Sequence, residues 1–478
     1  VAPRPDELPA QPGEPPAVRR LRTVDGPGFE QLSPHRARTG ALTGKTVYVS
    51  AGHGFTWTQS LSAWRTQRGN TNDIVEDLVS IEAINQYLVP YLQNAGARVV
   101  TVRESDLNTQ MVIVDNGGPG YTEEGDPALF ANSSLRGWAT PTGPLLTGVN
   151  PFESGSNRLM TAARTATASA TWAPTIPADG DYNVYVSWTH FSARVSDAHF
   201  VVRHAGGESH FRVNQRRHGF TWMLLGRFHF KKGLHPETAS VVAFNDSADS
   251  GNVSLDAVRF GGGMGLVDRG QGVSGRPRFE ESARYHAQFN GAPTSVYDYA
   301  DSDPNDDVGT RSRFAAWDRE DGEDAVYVAW HTNAASSPAV GTSSFVYGPN
   351  PPDGRYDFTG TPGSDKLMAA IHDELVKDLR AGWDPAWRDR GKFTAYFGEV
   401  NPNHNNEMPA CLIEVAFHST EADANQLKQP TFRRIAARAF MQGIVRYFAT
   451  RDGRAAQLPP EPPTAVFARN KGEGRLEV

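Results

Sequence analysis

The sequence predicts an α/β domain interrupted by an inserted all-β domain. Three observations carry this. Buried-strand runs alternate with helix-spaced apolar segments over residues 44–110, and the same texture returns over 264–452. Between them, residues 111–263 read as short alternating strands broken by turns such as Gly180-Asp181, Gly206-Gly207 and Lys232-Gly233. The chain has 478 residues, too many for one ordinary domain, and its 38% hydrophobic content is enough for packed cores.

In chain order, residues 1–43 are rich in Pro, Arg and Glu without apolar periodicity and read as a disordered or linker arm. Lys45–Ser50 is a strand that runs into Gly52-His53-Gly54, and a loop with Trp57, Trp64, Arg65 and Arg68 follows. Val75, Leu78, Val79, Ile81, Ile84, Leu88 and Leu92 have helical spacing, which predicts a helix over 72–94. Asn72 or Asp73 can cap it, Pro90 should kink or break it, and Gly96 ends it before a strand at Ala97–Val102. In the insert, strands are expected at 111–114, 169–172, 182–188, 199–203, 211–214, 226–230, 240–244 and 257–260, the pattern of a β-sandwich. Further on, helices are expected at 279–289, 307–318, 364–379 and 432–448. Strands are expected at 295–299, 325–330, 393–397 and 410–416. Residues 453–478 form a Pro-rich linker ending in a stretch similar to the first strand of a fibronectin type III domain.

Function is narrowed first by exclusion. The 47 basic and 54 acidic residues give a net charge of −7, which speaks against nucleic acid as a partner. No apolar run is long enough to span a bilayer. The single cysteine, Cys411, leaves no intramolecular disulfide and no cysteine-based zinc site.

Residues of zinc-ligand type stand at three element termini: His53 after the first strand, Glu76 near a helix start and His331 after the 325–330 strand. Two histidines and a carboxylate with one open position make a hydrolytic zinc set. The bland alternatives are histidines capping sheet ends and a surface carboxylate at a helix start, with Glu82 on the same helix as a rival for Glu76. Glu414 lies inside the apolar strand 410–416, where an ionised carboxylate needs pairing, hydrogen bonds or a metal. It fits a general acid/base, or else a salt bridge to Arg311 or Arg313. Cys411 should face the opposite side of that strand.

Gly52-His53-Gly54, Glu76, His331-Thr332-Asn333-Ala334 and Pro409–Phe417, in this order, resemble the zinc-dependent N-acetylmuramoyl-L-alanine amidases. Supporting stretches are Gly96–Arg103, Arg311–Trp317, Arg388–Gly391 and Ala439–Phe448. The resemblance implies a mostly parallel sheet with helices on both faces. It implies Zn2+ held by His53, Glu76 and His331, with Glu414 catalytic. It also implies cleavage of the amide between N-acetylmuramic acid and L-alanine in peptidoglycan. The chain departs from the family in the loop after Gly54 and at His418 and Asn403–Glu407, differences that concern substrate choice. Asn333, Trp57, Trp64, Arg65, His404 and His418 are therefore candidate substrate contacts, although Trp57 and Trp64 could equally cover a core edge.

Within the insert, Ala170–Pro174, Gly180–Val186, Phe211–Gln215 and Asp256–Phe260 resemble a golvesin-type β-sandwich, for which a carbohydrate or wall ligand is the expected partner. The expected location is secreted, periplasmic or cell-wall associated. Two alternatives stay open: a wall- or polysaccharide-binding protein with an inactive amidase core, and a zinc hydrolase acting on another amide.

Overall fold

Strand β1 (Lys45–Ser50) buries Val47 and Val49 in one core and Tyr48 in another. Burial on both faces is why it reads as a continuous apolar run. The computed structural model describes residues 39–351 and 353–459, together with the backbone of Phe29–Leu32, Arg469–Gly472 and Arg475–Glu477. Around β1 stand β2 (Arg98–Thr101), β3 (Asp324–Asn333), β4 (Thr342–Tyr347), β5 (Asp389–Ala395) and β6 (Ala410–Phe417). Their order is β5-β4-β6-β3-β1-β2, and every adjacent pair is parallel except β4 against β6. Helices α1 (Glu76–Ala83), α3 (Ser364–Gly382) and α4 (Pro430–Arg451) pack on the face carrying Val47 and Val328, while α2 (Asp303–Asp318) packs on the face carrying Tyr48 and Tyr327. A mostly parallel sheet with helices on both faces is thus the observed architecture. Among the described residues no helix is long and apolar enough to cross a membrane.

Several local expectations change. Helix α1 starts at Glu76 behind Val75, not at residue 72. Asn72 and Asp73 adopt φ of 53° and 61°, and the Asn72 amide donates to the His418 carbonyl at 3.0 Å instead of capping the helix. Pro90 is accommodated by a π-helical turn at Ile84–Leu88, before the helix resumes at Val89–Asn94. The wider turn absorbs the missing proline N–H and its ring. The strand expected at 295–299 is a helical turn, Thr294–Tyr297, entered from Pro293 and burying Val296 and Tyr297. Strand β4 carries no apolar signature in the sequence because Ser343 and Ser344 interrupt it, though both are buried. The loop after Gly54 is a hairpin, Phe55–Thr58 against Ala63–Thr66.

Five strands of the insert, joined at one edge by Phe29–Leu32, make a six-stranded sheet, and four more make a second sheet, over one core that includes Trp172, Trp188, Phe200, Phe211, Phe230 and Phe260. Within the stretch expected as a linker arm, Phe29–Leu32 forms an edge strand antiparallel to His210–Val213. The resemblance to a fibronectin strand at 464–470 lies outside the described residues, apart from the backbone of a small Arg469–Gly472/Arg475–Glu477 hairpin.

Insert and host share an aromatic cluster of Trp138, Phe152, Trp222 and Phe289. Beside it, fully buried Glu104 from the host accepts from Arg259 of the insert at 2.7 Å and from the Tyr185 hydroxyl, with Arg278 at 3.4 Å. Burial alone would raise the Glu104 carboxyl, but Arg259 and Arg278 outweigh it and hold it at about 2, below the ordinary 4.5. Glu104→Gln should therefore cost about 3–5 kcal/mol at neutral pH, because it leaves Arg259 buried without its counter-charge. A depressed carboxyl stabilises fully above its unfolded value and loses that contribution as pH falls through its folded value. The gap between wild type and variant in urea unfolding should therefore close between pH 4.5 and 2.

Candidate metal centre

The turn after β1 is shaped by its glycines. Gly52 has φ +67°, and a Cβ there would sit 2.9 Å from Cε1 of His331. A Cβ on Gly54 would meet the Glu281 backbone at 2.7 Å. Glycine is thus required at 52 by conformation and at both positions by close approach. The turn sets His53 against His331, with ring centroids 5.0 Å apart and planes at 71°.

Glu76, the first residue of α1, completes the group. The ligand atoms of His53, Glu76 and His331 lie within 4.8 Å of one another and all three residues are buried. Among the described residues this is the one such group. Oε1 of Glu76 is 3.2 Å from Nδ1 of His331 and accepts from the Thr332 backbone N–H at 2.9 Å. Each imidazole also meets a second carboxylate. Nδ1 of His53 is 2.9 Å from Oδ1 of Asp77, and Nε2 of His331 is 2.7 Å from Oε2 of Glu399. Burial disfavours the His331 imidazolium, yet Glu399 and Glu76 prevail and push it up to about 10. The pocket therefore draws positive charge. Two imidazole nitrogens and one carboxylate oxygen suit a zinc ion with one coordination position left for water or substrate, so the residues present fit the metal that the sequence implies.

The neighbouring positions separate into near and far. Glu414 is the register partner of His331 across β3 and β6, and both side chains leave the sheet on the face of Leu412. Cys411 lies in the core of the opposite face. Glu82, the rival to Glu76, is half-exposed and pairs with Arg433 at 2.9 Å. His418 stands at the centre, with Nδ1 3.6 Å from Oε2 of Glu76 and 2.9 Å from Oγ1 of Thr332. Asn333 is buried and its amide reaches Ser343 Oγ at 3.4 Å. His404 is buried, with Nδ1 2.7 Å from the Gly398 carbonyl. Trp57 and Trp64 pack edge to face across the hairpin, and Trp64 rests on Tyr285. These two rings cover a core edge, while Arg65 is exposed on the same hairpin. Asp77 and Glu399 escaped the sequence reading. A second acid directly after Glu76 is a visible signal for Asp77, whereas Glu399 lies in an irregular turn with no periodic pattern to mark it.

Fold and site define an α/β protein with a buried two-histidine, one-carboxylate centre at the carboxyl ends of its parallel strands. Residues 288–446 match the family described as N-acetylmuramoyl-L-alanine amidase, and residues 140–262 match the Golvesin C-terminal domain. The amidase match contains His331, Glu399 and Glu414; His53 and Glu76 precede the insert. The chain is 31% identical over 151 residues to a xanthan lyase of Bacillus sp. (strain GL1), covering 30% of this chain and 16% of that protein. It is 29% identical over 154 residues to an uncharacterized cell wall amidase of Bacillus anthracis, covering 32% and 26%. It is 31% identical over 124 residues to the N-acetylmuramoyl-L-alanine amidase LytC of Bacillus subtilis (strain 168), covering 26% and 21%. The chain thus spans between 16% and 26% of the length of these relatives.

Gly52→Ala should destabilise the fold by about 1–3 kcal/mol, from left-handed strain and displacement of His331. Urea unfolding of the metal-free protein checks this; an unchanged midpoint would contradict the close approach.

Proposed function

We infer that the protein is a zinc-dependent N-acetylmuramoyl-L-alanine amidase, hydrolysing the amide between N-acetylmuramic acid and L-alanine in bacterial peptidoglycan. The observation that carries this reading is the convergence of His53, Glu76 and His331 beside Glu414. The match of residues 288–446 to the amidase family supports the choice of bond. Zn2+ in this centre would polarise the scissile carbonyl and lower the pKa of water to about 7. Glu414, held in an apolar strand on the same face as His331, takes a proton from the attacking water and returns it to the leaving nitrogen. Its burial keeps bulk water from competing for that proton. His418, beside Glu76, and Asn333, whose amide reaches Ser343, the register partner of Glu414, are assigned to substrate contact. Arg65, exposed on the neighbouring hairpin, is assigned to the same role. A secreted or wall-associated location fits an insoluble wall substrate.

The large inserted β-sandwich and the hairpin that follows Gly54 motivate one competing reading, in which the chain binds wall polysaccharide and its amidase core is inactive. Incubation with insoluble peptidoglycan separates the two. The amidase reading expects soluble peptides bearing a free L-alanine amino terminus, identified by mass spectrometry; binding without release sinks it. Glu414→Gln should retain the metal and lower turnover by about 10²–10⁴-fold, and retained turnover removes Glu414 from the chemistry.

A further inference from the structure

Glu399 belongs to none of the elements that carry the three ligand-type residues. It sits in the short 3-10 turn Gly398–Val400, whose Gly398 carbonyl meets Nδ1 of His404 at 2.7 Å. Its carboxylate is buried and closely matched. One oxygen accepts from the Tyr327 hydroxyl at 2.7 Å; the other accepts from Nη1 of Arg311 and lies 2.7 Å from Nε2 of His331. Arg311 is anchored in turn, its Nε donating to the Asp307 carbonyl at 3.1 Å.

The placement separates two roles for His331. Nδ1 faces Glu76, a member of the candidate ligand group, at 3.2 Å; Nε2 faces Glu399, which is not a member, at 2.7 Å, with Nη1 of Arg311 at 3.5 Å. A carboxylate at Nε2 selects the tautomer with hydrogen on Nε2 and the lone pair on Nδ1, and it fixes the ring plane. Arg311 pairs with Glu399 and so holds its carboxylate in place beside the ring. Asp77 meets His53 in the same manner, on Nδ1.

We propose that Glu399 is the positioning residue of the metal centre, holding His331 so that Nδ1 is presented as the ligand. The proposal rests on the zinc reading above. It extends to His404 as the support of the turn that delivers Glu399.

The test is zinc affinity, measured by competition with a chromophoric chelator, for wild type, Glu399→Ala, Glu399→Gln and Glu399→Asp. Wild type should bind one zinc per chain, and the alanine variant should bind about 10–100-fold more weakly. Glu399→Asp should recover part of that loss. The visible spectrum of the cobalt(II) form should shift in Glu399→Ala, a change that a purely structural role would not produce when the metal-free proteins have the same circular dichroism. Equal affinity and an equal cobalt spectrum in a zinc-binding wild type and its alanine variant overturn the proposal. If Glu399→Ala does not fold, the isosteric Glu399→Gln is judged by the same criterion. Wild type that takes up no zinc overturns the zinc reading itself and the proposal with it, a distinct outcome visible before any variant is made.

Discussion

Burying carboxylates beside imidazoles is the constraint on which the remaining structure depends. Glu76, Asp77 and Glu399 are almost fully removed from water within one pocket, and each ionised group would cost several kcal/mol without compensation. Compensation comes from Arg311 on Glu399, from the Thr332 N–H on Glu76 and from the two imidazoles. The raised affinity of His331 for a proton expresses the same demand that a divalent cation would satisfy.

Holding such a pocket together requires that distant segments meet within tenths of an ångström. Arg103, fully buried just beyond β2, does much of this. Its guanidinium donates to the Ala51 carbonyl beside the glycine turn, to Asp77 in α1, and to Phe279, Glu280 and Glu281 where the chain returns from the insert. The next residue, Glu104, is the anchor for Arg259 of the insert. The segment that braces the centre and the segment that docks the sandwich are therefore continuous. An insert of this size is compatible with an intact site because its two ends are tied to the same arginine and glutamate pair.

Much of this was legible in the chain, for definable reasons. Val47–Ser50 and Ala325–Trp330 declare themselves because strands buried on both faces must be apolar throughout, and Glu414 declares itself by violating that rule. Gly52-His53-Gly54 is legible because left-handed backbone and close approach both demand glycine. Strand β4 was hidden because it buries serines, with Ser344 Oγ paired to His372 at 2.8 Å, so its polarity misleads. Thr294–Tyr297 misled because a short apolar run has no period of its own and tertiary packing decides its form. Glu399 could not be found from spacing: its role exists only because the turn before β6 folds back onto Tyr327 and Arg311.

The central claim is the composition of the centre, and zinc-edge X-ray absorption of the purified protein addresses it most directly. The expected result is one zinc per chain surrounded by nitrogen and oxygen alone at about 2.0–2.2 Å, with two imidazole signatures that fall to one in His53→Ala or His331→Ala. A sulfur scatterer, a single imidazole in the wild type, or no bound zinc would contradict it.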